Sequence, residues 1–461
     1  MWEQIGSSTT SPIGPTIGTG KLPMLQKATI VNTNYLRNWN LELKFLNLSG
    51  NRRLEIKPNL PQNSSRERSI TDFSQLANLR VLGLMDVTLT IPQVPDQTED
   101  RRVRTSSTIV RNMSYGMADS LGRSEHLSVI DMVVPDFRGS KNECVFGLFD
   151  GQSLQSSGSK VAMYLNEHFT HYFSVELSKL RDNETTATAL RRTFLSLNKG
   201  LANTAMQTLD EKTGPTRNMP TNATMLGPDD LHTGSSATVV YLVGNDMFVA
   251  NVGDAMAILV CSNGDSKVLT RKHEPGFGTE LERIRESGGW VSRNGKLNEV
   301  LDVSRSFGYF NLIPAIQAAP HIHEVQLNDQ DELLILASRE VWEYIPHQTA
   351  VDIVWLYKGD LMRAAHRLRD IAIAYGATNK IMVMLIGVGD LKRAKKKVVH
   401  NLQPEEFVIK GGPRRGGGID DVVSKIYSMY RLLILTFLGA QPPYSRNTSS
   451  RGGCISRIHR H

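Results

Sequence analysis

Cysteine is scarce in this chain: Cys144, Cys261 and Cys454 are the three in 461 residues, an odd number whose spacing suits neither a disulfide framework nor a metal site. Such usage predicts reduced thiols in a cytosolic setting. Long apolar runs are missing too. The greasiest stretch, Leu432 to Leu438, falls far short of the ~20 residues that cross a bilayer, and no N-terminal apolar segment has the form of a signal peptide. The several Asn-x-Ser/Thr triplets are then chance matches. No Gly-rich loop precedes a Lys in the manner of a phosphate cradle, no Ser/His/Asp order is apparent, and no zinc spacing occurs. These absences exclude a stapled secreted domain, a helical membrane span, a P-loop enzyme and a zinc module.

With 40% hydrophobic residues, the chain is long enough for two or three domains, each burying its own core. The net charge of +7 sits largely in Lys392-Arg-Ala-Lys-Lys-Lys397, Arg414-Arg415 and the Arg/His-rich end, and reads as a solvated basic tail more than as a contact for nucleic acid or anionic lipid. The first residues, to about 35, are rich in Ser, Thr, Gly and Pro without an apolar period, and are expected to be disordered or cut from a larger domain.

Residues 36–92 carry two copies of a leucine pattern. Leu43-x-x-Leu46-x-Leu48-x-x-Asn51 returns as Leu79-x-x-Leu82-x-Leu84, with the polar Pro58 to Arg68 segment inserted between them. In a leucine-rich repeat the leucines point inward from a short strand and the Asn side chain bonds backbone groups, so two copies read as the end of an array whose units depend on their neighbours. Residues 93–105 are Pro, Gln, Asp and Arg rich and read as a cap and linker. From 106 to 390, strand patterns (Val145 to Phe149, Ala237 to Leu242, Met247 to Asn251, Ala255 to Cys261, Leu333 to Ala337, Ile381 to Ile386) come in blocks among helical ones (Gly158 to Phe173, Thr185 to Met206, Asp360 to Tyr375). Blocks of this kind favour an α+β architecture. Pro215 to Asp230 reads as a surface loop, and residues 391–461 as a basic, disordered tail.

Within 106–390 one segment is the most telling. Val145-Phe-Gly-Leu-Phe-Asp150-Gly151 is an apolar strand delivering a carboxylate and a bare carbonyl at its end, a way to hold a hard divalent cation. It is followed, in order, by Gly234-Ser-Ser-Ala-Thr-Val239, Ala250-Asn-Val-Gly-Asp254, His273-Glu-Pro275 with Glu282-Arg-Ile-x-x-x-Gly288-Gly289, and Val303-Ser-Arg-Ser-Phe-Gly308. Asp331-Glu-Leu-Leu-Ile-Leu-Ala-Ser338 and Gly376-Ala-Thr-Asn-Lys-Ile-Met-Val383 complete the series. The order resembles the type 2C metal-dependent Ser/Thr phosphatase domain over about 280 residues. The resemblance implies a sandwich of two antiparallel sheets flanked by helices, with a cleft at one end where carboxylates hold two divalent ions.

Carried over position by position, that resemblance leaves the ligand set incomplete. Asp150 and the Gly151 carbonyl remain as residual metal candidates. Gln152 stands where the family has His. The expected Glu-Asp pair falls on Ser128 and Val129, or on Leu127 and Ser128, and the later acids are replaced by Arg339 and Asn379. Two unit charges about 4 Å apart interact by roughly 4 kcal/mol at an effective dielectric near 20, so Arg339 against a divalent ion costs about twice that. A two-metal centre is therefore not expected, and no catalytic residue is assigned. Glu125, Asp131 and Glu340 read as surface carboxylates before substitute ligands, His321-x-His323 as two rings on one strand face without a third ligand, Asp254 as a turn acid, Gly288-Gly289 as a turn and Arg305 as structural or anion-facing.

Repeats running into a type 2C phosphatase-like domain resemble fungal adenylate cyclases, as do the block Tyr115-Gly-Met-Ala-Asp119 to Met132-Val-Val-Pro135 and Ser338-Arg339-Glu340-Val-Trp342. Pleckstrin-homology and leucine-rich repeat phosphatases are the competing resemblance and imply an active enzyme. The cyclase resemblance implies a regulatory segment of a protein that converts ATP to cyclic AMP and diphosphate with magnesium or manganese. Its implied partners are proteins, a Ras-type GTPase and the cyclase catalytic domain among them, and its implied place is the cytoplasm, peripheral at the plasma membrane. No cofactor is expected in this chain, and the competing phosphatase reading calls for magnesium or manganese. After Lys397 the family character stops, and the end reads like a translated intron or a shifted frame.

Overall fold

The computed structural model describes residues 28–30, 44–51, 54–56, 78–89, 94, 101–124, 127–153, 158–213 and 226–391. Most of the expected N-terminal segment 1–35, the insert Pro58 to Arg68, most of the loop Pro215 to Asp230, Glu125 and the tail from 392 lie outside the described residues.

The leucine-patterned region forms two short parallel ladders. Ala28–Ile30 (β1), Leu54–Ile56 (β3) and Thr88–Leu89 (β5) make one, in the order β1-β3-β5, and Phe45–Asn47 (β2), Val81–Gly83 (β4) and Arg102–Arg104 (β6) make the other, in the order β2-β4-β6. Leu46 pairs in register with Leu82, the Asn51 amide donates to the Leu48 carbonyl at 2.8 Å, and Leu48, Leu79, Leu82 and Leu84 pack with Leu54, Ile56 and Val103 into one small core. The stretch expected to be linker, 93–105, thus contains β6. Its strand signal is weak because three of the four residues from 101 to 104 are arginines.

The rest is built from two six-stranded, mainly antiparallel sheets. One contains Ile109–Val110 (β7), Met113–Ser120 (β8), Met256–Cys261 (β13), Ser266–Val268 (β14), Asp331–Ala337 (β17) and Ile381–Ile386 (β18), in the order β14-β13-β17-β18-β8-β7. The other contains Val129–Val134 (β9), Glu143–Ser153 (β10), Thr233–Val243 (β11), Asp246–Val252 (β12) and His321–Gln326 (β16), in the order β16-β12-β11-β10-β9, with Phe307–Gly308 (β15) paired to β11. Ser159–Ser178 (α1) and Thr186–Thr213 (α2) cover the second sheet. Arg339–Tyr344 (α4), His347–Leu356 (α5) and Leu361–Ala374 (α6) cover the first, and Gly278–Glu286 (α3) lies between β14 and β15 in the chain.

Alternation along β10 shows why the layers form. Side chains of a strand point to opposite faces in turn, so the apolar run splits. Phe146 and Leu148 join the core between the sheets, while Val145 and Phe149 pack against Phe169 and Phe173 of α1. On the far side Leu361, Ala364, Ala365, Leu368 and Ala372 of α6 are buried at helical spacing, and Asp360 caps that helix by accepting from the Arg363 amide at 3.2 Å.

A buried guanidinium ties the parallel ladder to both sheets. Arg104 of β6 donates to Asp119 of β8 at 2.7 Å and to Asp131 of β9. Burial pushes the Asp131 carboxyl up, but Arg104 and Arg102 pull it below its ordinary value, so the pair is ionised. Asp131 is accordingly an internal ion-pair member and not the surface carboxylate the sequence suggested. Removing one partner of a buried pair leaves an uncompensated charge. Arg104→Met is expected to destabilise the chain by about 3–5 kcal/mol in urea unfolding, and replacing Arg104, Asp119 and Asp131 together by apolar residues should recover most of that loss.

Candidate functional site

The alternation that sends Phe146 and Leu148 between the sheets sends Asp150 there too, two residues further, where the strand end opens. Gly151 follows it under a tight constraint: a Cβ there would lie 2.2 Å from the Gly158 carbonyl, so the position needs bare backbone. The Gly151 amide donates to the Ser128 carbonyl at 2.8 Å, and Val129 pairs in register with Asp150 and is buried in the core between the sheets. Ser128 and Val129, the positions of the lost acids, are thus beside Asp150 as the family pattern implied.

A lysine from the opposite sheet fills the space they share. Lys380, immediately before β18, places its ammonium 2.6 Å from the Gly151 carbonyl, 2.5 Å from the Ser128 hydroxyl and 3.3 Å from Asp150 Oδ1. Asp150 Oδ1 accepts no aligned hydrogen bond among the described residues, so its counter-charge is this ion pair. The loop that delivers Lys380 is itself clamped. Glu340, in the first turn of α4, accepts from the amides of Thr378 and Asn379 at 2.7 and 2.8 Å and from the Asn379 side chain at 3.0 Å. Glu340 is therefore a buried loop anchor, which corrects its reading as a surface carboxylate and leaves it no free oxygen for a metal.

Beside this cluster, Asp254 follows β12 and is 3% exposed, where its carboxylate accepts from Ser236 Oγ at 3.3 Å and lies 3.5 Å from the Arg339 guanidinium. Arg339 also pairs with Asp302 at 3.3 Å and with Glu343. Burial and the charge of Asp150 push the Asp254 carboxyl up to about 6, against the pull of Arg339. Asp254 is more than the turn acid expected, since it is the counter-charge of the arginine that replaces a family carboxylate.

These residues do not fit the divalent pair that an active cleft holds. A cation ligated by Asp150 and the Gly151 carbonyl needs the volume that the Lys380 ammonium fills, and the other lost-ligand positions contribute a hydroxyl, a buried valine, a guanidinium and an amide engaged by Glu340. Asp150 and Asp254 each have a fixed cation of the chain, Lys380 and Arg339, as a counter-charge.

Residues 130–381 match the protein phosphatase 2C family. The chain belongs to that family. A sex-determining protein of C. elegans shares the fold, with a TM-score of 0.51 at 17% identity over 62% of this chain and 67% of that one. Across a longer span the chain is similar to fungal adenylate cyclases. The Podospora anserina protein is 48% identical over 377 residues, 80% of this chain and 18% of that protein, and the Neurospora crassa protein 50% identical over 381 residues, 80% of this chain and 16% of that protein. The chain therefore spans under one fifth of the length of these relatives.

Elsewhere in the phosphatase 2C domain, Glu280 of α3 is 1% exposed and holds two arginines. It accepts from Arg305 Nε at 3.0 Å, Arg283 Nη2 at 3.0 Å and Ser304 Oγ at 2.8 Å, and these partners hold its carboxyl down at about 2 against burial. Arg305, read from the sequence as structural or anion-facing, further donates to the Ala319 carbonyl at 2.9 Å. His321 and His323 lie on β16 with ring centroids 6.4 Å apart, and the described residues contain no third His, Cys, Asp or Glu grouped with them. Sequence reasoning gave no role to Lys380, although a cation beside a lost acid was a visible signal.

Asp254 provides a test of this electrostatic arrangement. Its folded value near 6 lies above the ordinary 3.8, so the folded state holds a proton that the unfolded state releases, and stability falls as pH rises through that window. Asp254→Asn should remove about one proton's worth of that slope. Urea unfolding at pH 4, 5, 6 and 7 reads it, and an unchanged slope would show that Asp254 is ionised throughout.

Proposed function

We propose that the chain is a regulatory segment of a fungal adenylate cyclase whose phosphatase 2C domain is catalytically inactive and works through protein contacts. The observation that carries the inactive reading is the Lys380 ammonium held by Asp150, Gly151 and Ser128. Hydrolysis by this family's route needs divalent ions to activate water and neutralise the phosphate oxygens. With the metal ligands engaged by lysine and arginine, neither task has an agent. Similarity to the fungal cyclases over four fifths of the chain supports the regulatory reading. The parent reaction in this proposal is ATP to cyclic AMP and diphosphate, with magnesium or manganese used by a cyclase domain. The contacts proposed are with that domain and, through the leucine-patterned ladders, with a Ras-type GTPase, in the cytoplasm at the inner face of the plasma membrane.

Manganese separates this reading from an active phosphatase. Calorimetric titration of the chain with manganese chloride is expected to give no saturable heat, and p-nitrophenyl phosphate with manganese no turnover above buffer. Micromolar manganese binding, together with turnover that Asp150→Ala abolishes, would sink the proposal.

A further inference from the structure

A cavity of about 370 Å³ lies at the edge of the second sheet and shares no lining residue with the Lys380 cluster. Its wall carries Arg191, Arg271, Arg305, His273, His321 and Thr188. Ala187, Pro320 and Ile322 complete the lining, and no carboxylate is among the lining residues described.

The counter-charges are unevenly shared. Arg305 is matched by Glu280. Arg271 donates to Thr279 Oγ1 at 2.9 Å and stacks over Phe277, while Arg191 is exposed on α2, and neither makes an ion pair among the described residues. Ala187 and Thr188 place the first turn of a 28-residue helix on the same wall, and the N-terminal end of a helix favours negative charge. The positive field is felt by the histidines. Burial and then Arg305 push His273 down to about 3, while burial, His323, Arg271 and Arg305 lower His321.

His273 adds an observation independent of charge. Its side chain is buried, the residue being 1% exposed, and its Nε2 has no hydrogen-bond partner among the described residues. Nδ1 lies 3.2 Å from the Gly253 amide and 3.2 Å from the Gly253 carbonyl, which also accepts the His273 amide at 3.0 Å. Nε2 is open in either tautomer, a donor where Nδ1 accepts from the Gly253 amide and an acceptor where Nδ1 donates to the Gly253 carbonyl. A buried polar nitrogen left unpaired is unfavourable, and a bound hydrogen-bonding partner removes that cost. The wall bearing it is held firmly, because Asn251 exchanges hydrogen bonds of 2.8 and 3.1 Å with the backbone of Arg271.

We propose that this cavity binds a phosphate group, free or carried on a small molecule, with its oxygens taken by Arg191, Arg271 and His273 Nε2 at the N-terminus of α2. Arginine forks suit a tetrahedral anion, a phosphate oxygen accepts from an Nε2–H while a phosphate hydroxyl donates to a bare Nε2, and the volume exceeds that of the ion alone, leaving room for an attached body.

Calorimetry and ³¹P NMR on the full chain, in chloride buffer, test the site with inorganic phosphate and phenyl phosphate as probes. Saturable binding that weakens with added sodium chloride is expected. Arg271→Ala and Arg191→Ala should each weaken it by about tenfold. Arg191 is exposed, so its variant tests the site even where Arg271→Ala or His273→Gln disturbs folding. Tighter binding of phenyl phosphate would place the group on a small organic body, and equal affinity would make the ion itself the ligand. Unchanged affinity in the Arg191→Ala variant and in the double arginine variant, or no heat and no ³¹P change with the unaltered chain, would overturn the assignment.

Discussion

One ammonium group joins the ends of the two sheets. Lys380 is delivered from β18 of one sheet, and its acceptors, Gly151 and Asp150 of β10 and Ser128 just before β9, belong to the other. In a phosphatase of this fold the same end is held by bound ions, which repel one another less when carboxylates surround them. Here the positive charge is covalent and carries one unit instead of two, so fewer acids are needed to neutralise it. The replacement of acids by Ser128, Val129, Arg339 and Asn379 then becomes a connected set. Asn379 ties Glu340 to the loop, Glu340 positions Lys380, and Arg339 supplies the second cation opposite Asp254.

The fold was legible where its determinants are local. Val145 to Phe149 alternates between two apolar faces, and the structure extends that strand to Glu143–Ser153. Asp360 to Tyr375 has a helical period with a capping acid at its start, and the helix occupies Leu361–Ala374. His347–Leu356 was not read because its buried residues, Ala350, Val351 and Val354, cover little of its length. The block Tyr115 to Asp119 lies within the strand Met113–Ser120, whose apolar pattern is blurred by Ser114, Gly116, Ala118 and Asp119.

The site was legible as a set of losses and illegible as an arrangement. Each missing acid could be read from motif order, but the groups that replace them act across the chain. Lys380 meets Gly151 and Ser128 at separations of 229 and 252 residues, and Arg339 meets Asp254 across 85. No periodicity carries such pairings. The same distance in sequence hid the cavity beside α2, whose wall combines a helix start near 188, a loop at 271–273 and the edge strand at 321.

Arg104 has a mechanical meaning beyond its contribution to stability. It is the last residue of the parallel ladder strand β6, and its guanidinium grips Asp119 in one sheet and Asp131 in the other. It is one of several attachments, since Asn47 Nδ2 lies 3.1 Å from His366 Nε2 and Met85 packs into the core between the sheets, so tension on the ladder is divided between both layers of the sandwich instead of peeling one edge strand from one sheet. A load arriving through the leucine-patterned segment would thus be shared by the two layers.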